Sequence, residues 1–297
     1  IVGNKKTFDM VEGFYGVGGE RYVVGEGDFL ALGHHKLRFS LIPMVHWPET
    51  MVTYDETEGI LFSGDAFGCF GALNGGVIDA NINTDIYWDE MVRYYSNIVG
   101  KYGAPVQKAL QKLQALKINA ICSTHGPVWT EEIPRVVRIY DRLSRYEAEE
   151  GVVIAYGTMY GNTAEMAEAI AEELSKQGIR NIVMHNVSHT NHSYIIADVF
   201  KYRGLIVGCP TYNTQMYPEM EALLNKLSAR EIKGRYMGWF GSFTWASAAV
   251  KKITEFNDKL KFEPVGNPIE MKHSMKSETY VQCKELAKAM ADRLKAD

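Results

Sequence analysis

The sequence predicts an α/β protein in two parts, and three observations carry that reading. From Gly151 onward, short apolar runs alternate with amphipathic stretches in five successive β/α units, the pattern of a doubly wound parallel sheet. Residues 20–65 instead read as closely spaced extended segments, with helical stretches after them, which suggests sheets covered by helices. The 297 residues leave room for about two domains. The run Glu147-Ala148-Glu149-Glu150 reads as a solvated boundary between domains at 1–149 and 150–297.

In the first part the predicted strands are Phe29–Leu32, Lys36–Ile42, Met51–Tyr54 and Ile60–Phe62, some separated by Gly-Asp or Gly-His turns. Helices are expected over Tyr87–Val99 and Val106–Lys117, then a strand over Ile118–Cys122 and a helix near Ile133–Glu147. In the second part the strand Val152–Tyr156 precedes a helix with Met166, Ala167, Ile170, Ala171 and Leu174 on one face. There follow Asn181–Val187 (strand), Tyr194–Tyr202 (helix), Leu205–Gly208 (strand) and Pro218–Leu227 (helix). Arg235–Phe240 (strand), Ala246–Leu260 (helix), Pro264–Met271 (short strand) and Val281–Leu294 (helix) complete the pattern.

Composition narrows the function. A net charge of −4 argues against general nucleic-acid binding, and no apolar run approaches a membrane span. Cys69, Cys122, Cys209 and Cys283 are scattered without a C-x-x-C pair, which suggests reduced thiols in a cytoplasmic protein. The start Ile1-Val2-Gly3, with neither Met nor a signal peptide, reads like the interior of a longer protein.

The loop Gly157-Thr158-Met159-Tyr160-Gly161-Asn162-Thr163 joins a buried strand to a helix whose first N–H groups are unpaired, a seat for phosphate. It contains no Lys or Arg, and matches neither the triphosphatase nor the dinucleotide glycine pattern, so a mononucleotide such as FMN suits it better. Two further strand ends carry Pro210-Thr211-Tyr212-Asn213 and Ser242-Phe243-Thr244-Trp245-Ala246, where aromatic faces and polar groups could hold a flavin ring. These three loops, in this order, make residues 151–297 resemble flavodoxin.

In the first part His46, Asp65 and His125 each lie just beyond an extended run. Their separations of 19 residues (46 to 65) and 60 (65 to 125) are too wide for a zinc finger, but suit a site gathered from strand ends. Imidazole and carboxylate donors favour iron, zinc or manganese. His189-x-x-His192 lies in a polar loop and reads as surface.

The segments His46-Trp47-Pro48-Glu49-Thr50-Met51, Ser63-Gly64-Asp65-Ala66-Phe67-Gly68 and Thr124-His125-Gly126-Pro127-Val128-Trp129, followed by a flavodoxin-like module, resemble the flavodiiron proteins. The resemblance implies a partial metallo-β-lactamase-like αββα domain, then a flavodoxin-like doubly wound sheet. It implies FMN and two irons, with His46 on one iron, His125 on the other and Asp65 bridging. It further implies electrons from a rubredoxin-like or other donor, reduction of O₂ to water or NO to N₂O, and a head-to-tail homodimer. Trp245 and Trp47 are candidates for the flavin–metal junction, with core packing the alternative for Trp47. The family's upstream H-x-E-x-D-H motif has no counterpart here; His34-His35 lacks its acidic positions. An N-terminally truncated chain is therefore expected, a competent flavoprotein but a poor diiron enzyme, with exposed sheet edges in the first domain. A plain FMN electron carrier and a zinc hydrolase fused to flavodoxin remain as alternatives.

Overall fold

The computed structural model describes residues 1–16 and 18–296. The chain divides into two compact units, Ile1–Arg145 and Tyr146–Asp297.

The first unit opens with β1 (Val2–Gly3) and α1 (Lys5–Tyr15), neither of which the sequence reading anticipated. Asn4 caps the helix, its side-chain oxygen accepting from the N–H groups of Lys6 (3.0 Å) and Thr7 (3.2 Å). Phe8 is the one buried residue of α1, so its apolar stripe is too thin to read as a core helix. β2 (Tyr22–Val23) pairs in parallel with β1. β3 (Phe29–Leu32), β4 (His35–Leu41), β5 (Met51–Asp55) and β6 (Ile60–Gly64) form an antiparallel meander.

The chain then passes through α2 (Asp85–Tyr94), a π turn at Tyr95–Val99, a 3₁₀ turn at Gly100–Tyr102 and α3 (Gly103–Leu113). β7 (Ala120–Ser123) adds in parallel to β6, and α4 (Ile133–Ser144) follows. Leu61 and Ile121 are fully buried while Phe62 is exposed, the alternation of a sheet with one face on a core. The sheet with helices α2, α3 and α4 beside it in the chain agrees with the partial αββα domain expected. Among the described residues this unit holds one five-stranded sheet, ordered β3-β4-β5-β6-β7, and the separate β1–β2 pair.

A remote side chain fixes the approach to α4. Glu132 opens the helix without a side-chain cap. Asp79, buried in a 3₁₀ turn, instead accepts from the N–H groups of Thr130 (2.9 Å), Glu131 (3.0 Å) and Glu132 (2.9 Å) and from the Thr130 hydroxyl. Burial alone would raise the Asp79 pKa, but these donors outweigh it and hold the carboxyl below its ordinary value. The stability it contributes is therefore present above the ordinary carboxylate range and is lost as pH falls through the lowered folded pKa. Urea unfolding should find Asp79→Asn less stable than the parent at neutral pH, with the gap closing in acid. A gap that does not change with pH would contradict the assignment.

The second unit runs β8 (Glu149–Tyr156), α5 (Asn162–Lys176), β9 (Ile182–Asn186), α6 (His192–Lys201), β10 (Tyr202–Pro210), α7 (Pro218–Ala229) and β11 (Tyr236–Phe243). α8 (Ala249–Leu260), β12 (Glu263–Pro264), β13 (Ile269–Lys272) and α9 (Ser277–Lys295) complete it. Every pairing in the sheet is parallel, in the order β9-β8-β10-β11-β12, with β13 also on β11. Taken from the unit's own first strand this is the order 2-1-3-4-5, with the crevice for ligands where the winding reverses. Val152 and Ile154 pack with Met166, Ile170, Leu286 and Met290 from α5 and α9 on one face. Val153 and Ala155, pointing the other way, are equally buried, so the strand is apolar on both sides.

Several expectations need correction here. Glu149 pairs with Tyr202, so the acidic run at 147–150 already enters the sheet. The strand expected over Pro264–Met271 splits in two around Gly266, where φ is +69°. His192, read as a surface residue, is buried at the start of α6 with Nδ1 3.1 Å from the Lys226 ammonium. Burial, then that cation, lowers its pKa. Among the described residues no helix is long and apolar enough to cross a membrane.

Candidate functional site

In the second unit, the loops that leave β8, β10 and β11 enclose a cleft of about 550 Å³. The first loop turns at Gly161, where φ is +90°, and its N–H donates to the Thr158 hydroxyl (3.1 Å). α5 starts at Asn162 with no side chain capping it, so its opening N–H groups face the cleft as anion donors. Thr163 is buried and its hydroxyl lies 2.8 Å from that of Ser242, tying the first loop to the third. In the second loop Asn213 and Thr214 both have positive φ, and Tyr212 and Gln215 exchange backbone hydrogen bonds across them. That tight turn aims Tyr212 outward.

The Thr211 hydroxyl accepts from the N–H groups of Ala248 and Ala249 and so caps α8. This cap starts the helix at Ala249, three residues later than expected, and leaves Ala246 free to line the cleft.

Every residue singled out in these loops lines the cleft except the two glycines, Gly157, which packs against the Tyr217 ring, and Gly161, which shapes the turn. Thr214 and His273 line it as well and were missed. Thr214 lies one residue past the stretch singled out, and His273 follows β13 in a segment with no motif. Among the lining residues there is no Lys, Arg, Asp or Glu. Tyr160 and Trp245 are 88% and 89% exposed, flat surfaces with no protein partner covering them. Uncovered aromatic faces beside an uncapped helix start fit a flat ring that ends in a phosphate, as FMN does.

In the first unit, the strand ends bring His46, Asp65 and His125 together. His46 Nε2 lies 3.1 Å from Asp65 Oδ2, and His125 Nε2 lies 3.5 Å from Asp65 Oδ1. The Thr124 hydroxyl donates to Asp65 Oδ1 at 2.5 Å and fixes the carboxylate's orientation. Gly126 follows His125 with φ of +84°, and a Cβ there would meet Cys69 Sγ at 2.3 Å. Tyr94 stands with its ring centroid 5.7 Å from that of His125. Burial and then the Asp65 carboxylate raise its phenol pKa, keeping it neutral. Trp47 packs edge-on to His46 and against Phe14, but remains 42% exposed, so it is not a core residue. Two imidazoles meeting opposite oxygens of one carboxylate fit a pair of cations that share that carboxylate.

All four cysteines are free thiols. Burial pushes Cys209 and Cys283 up to about 12, and burial with the nearby Glu90 does the same for Cys69. None is poised as a nucleophile.

Comparison with known proteins agrees with both halves. Residues 154–291 match the flavodoxin family, and residues 6–126 match the ODP family beta lactamase. An uncharacterized protein of Methanocaldococcus jannaschii is 32% identical over 91% of this chain and 68% of its own length. A nitric oxide reductase of Moorella thermoacetica is 28% identical over 99% of this chain and 74% of its own. The rubredoxin oxygen:oxidoreductase of Desulfovibrio gigas superposes with a TM-score of 0.95 at 26% identity, over 100% of this chain and 75% of that one. The flavodiiron protein of Giardia intestinalis gives the same TM-score and identity, over 99% and 73%. With a flavodoxin-like sheet following a lactamase-like domain along the chain, and relatives matched across nearly all its length, this chain belongs to the flavodiiron proteins.

Proposed function

We propose that this protein is an oxidoreductase that holds FMN in the cleft of its second unit and two irons about Asp65 in its first. It reduces O₂ to water, NO to N₂O, or both, with electrons from a rubredoxin-like or other redox partner. The observation that carries this reading is the Asp65 carboxylate, whose two oxygens face two different imidazoles. His46 would serve one cation, His125 the other and Asp65 both; two full iron shells need further donors of the H-x-E-x-D-H kind, which this sequence does not contain. Bound FMN supplies electron transfer, and the paired irons supply a place where O₂ or NO accepts the electrons.

The protein's own side chains do the positioning. Thr158, Asn162 and the first N–H groups of α5 hold the phosphate, while Tyr160, Tyr212 and Trp245 flank the ring and keep water from it. Thr124 keeps Asp65 turned so that each oxygen meets one imidazole. The relatives in Moorella and Desulfovibrio, named for nitric oxide and for rubredoxin and oxygen, support both the acceptors and the donor. A head-to-tail homodimer, with the flavin cleft of one copy facing the metal site of the other, would bring donor and acceptor close. Four free thiols suit the reducing cytoplasm.

Flavin identity tests the cleft. Denatured holoprotein should release FMN rather than FAD. Thr158→Ala and Asn162→Ala should each weaken FMN binding by about 1–3 kcal/mol, the worth of a hydrogen bond to a charged phosphate. Release of FAD, or unchanged FMN affinity in both variants, would sink the assignment.

A further inference from the structure

A second group of metal-ligating side chains lies in the first unit, apart from His46, Asp65 and His125. His34 and His35 stand at the turn between β3 and β4, and Glu58 at the turn between β5 and β6. One ring nitrogen of each histidine and a carboxylate oxygen of Glu58 lie within 4.8 Å of one another. The two imidazole centroids are 4.0 Å apart although the residues are adjacent in sequence. Neighbours on a strand normally point to opposite faces, and the turn at Gly33, with φ of +62°, frees His34 from that alternation.

The group is held from behind. Asp55, 4% exposed, places Oδ2 2.7 Å from His35 Nδ1, which leaves Nε2 as the open nitrogen of that ring. The other Asp55 oxygen accepts from the Thr57 N–H (3.0 Å), and the Thr57 hydroxyl donates to the His34 carbonyl (3.2 Å). Asn119 donates to the Glu58 carbonyl (2.8 Å). The two turns are thus tied to each other and to the sheet. Lys36, the nearest cation in sequence, is drawn to Glu56 at 2.9 Å and does not occupy the Glu58 carboxylate.

We infer that His34, His35 and Glu58 form a binding site for a divalent transition metal of zinc type, with Asp55 orienting His35. Two imidazoles and a carboxylate match the preferences of such ions, and a carboxylate behind a ligating histidine fixes its tautomer and raises its basicity. Bonds of about 2.0–2.2 Å place tetrahedral donors roughly 3.3–3.6 Å apart, so the side chains, now within 4.8 Å of one another by one donor atom each, close inward on binding. Three protein ligands leave a fourth position for water or for a group from another molecule.

Calorimetric titration of the full chain with Zn²⁺, backed by the visible spectrum of the Co²⁺ form, tests this. His34→Ala, at an exposed turn, should bind one equivalent fewer than the parent, and Glu58→Gln should weaken that equivalent. Asp55→Asn should weaken it by roughly 10- to 100-fold while the stoichiometry stays the same. His46→Ala should leave this equivalent in place, which separates it from the site about Asp65. Parent-like zinc affinity and stoichiometry in both His34→Ala and Glu58→Gln would overturn the proposal.

Discussion

Asp65→Asn is expected to abolish metal-dependent turnover and to strip most of the bound iron in a protein that joins this sequence to the H-x-E-x-D-H donors. An amide offers one neutral oxygen where the carboxylate offers two charged ones, and its NH₂ would point at whichever imidazole loses its partner. His46 Nε2 and His125 Nε2 now meet opposite oxygens of Asp65, so either orientation of the amide leaves one cation position without its shared ligand. Iron content by mass spectrometry and reoxidation of the reduced protein by O₂ or NO provide the readouts. FMN content should stay at the parent value, because the cleft lies in the other unit. Full iron occupancy with unchanged reoxidation would eliminate the bridging role.

Gly126→Ala is expected to be strongly damaging although it removes no ligand. A backbone held at φ of +84° costs a residue with a Cβ about 1–3 kcal/mol. The added methyl also lands 2.3 Å from Cys69 Sγ, inside a packed core where the sulfur has little room to yield. The strain falls on the loop that carries His125, so metal affinity should drop along with stability. Pairing Gly126→Ala with Cys69→Ala should recover part of the loss, the contact being relieved while the backbone strain remains. A single variant as stable and as well metallated as the parent would show that this loop does not need glycine.

Much of the second unit could be read from sequence because its strands are buried on both faces. Runs such as Val152–Tyr156 and Leu205–Gly208 admit little else, and ligand loops in such sheets fall where the strands end. The first unit was harder. Its helix α1 rests on the Asn4 cap and on Phe8, signals too local to stand out without the fold. The helix expected over Tyr87–Val99 holds its α-helical form only to Tyr94 and then widens into a π turn, which period-3.6 patterning does not mark.

The trio His46, Asp65 and His125 could be suspected from strand ends, but each is an ordinary residue until three separate loops converge. Asp79 and Asp55 were invisible for the same reason. Their partners lie about 50 residues downstream in one case (Thr130, Glu131 and Glu132) and 20 upstream in the other (His35), and only the folded sheet brings them together.

Diffraction from crystals of the iron- and FMN-loaded protein, with anomalous data collected at the iron edge, tests the central claim most directly. Two anomalous peaks are predicted, one against His46 Nε2 and one against His125 Nε2, with Asp65 between them. A single peak shared by both imidazoles, or none beside Asp65, would contradict it.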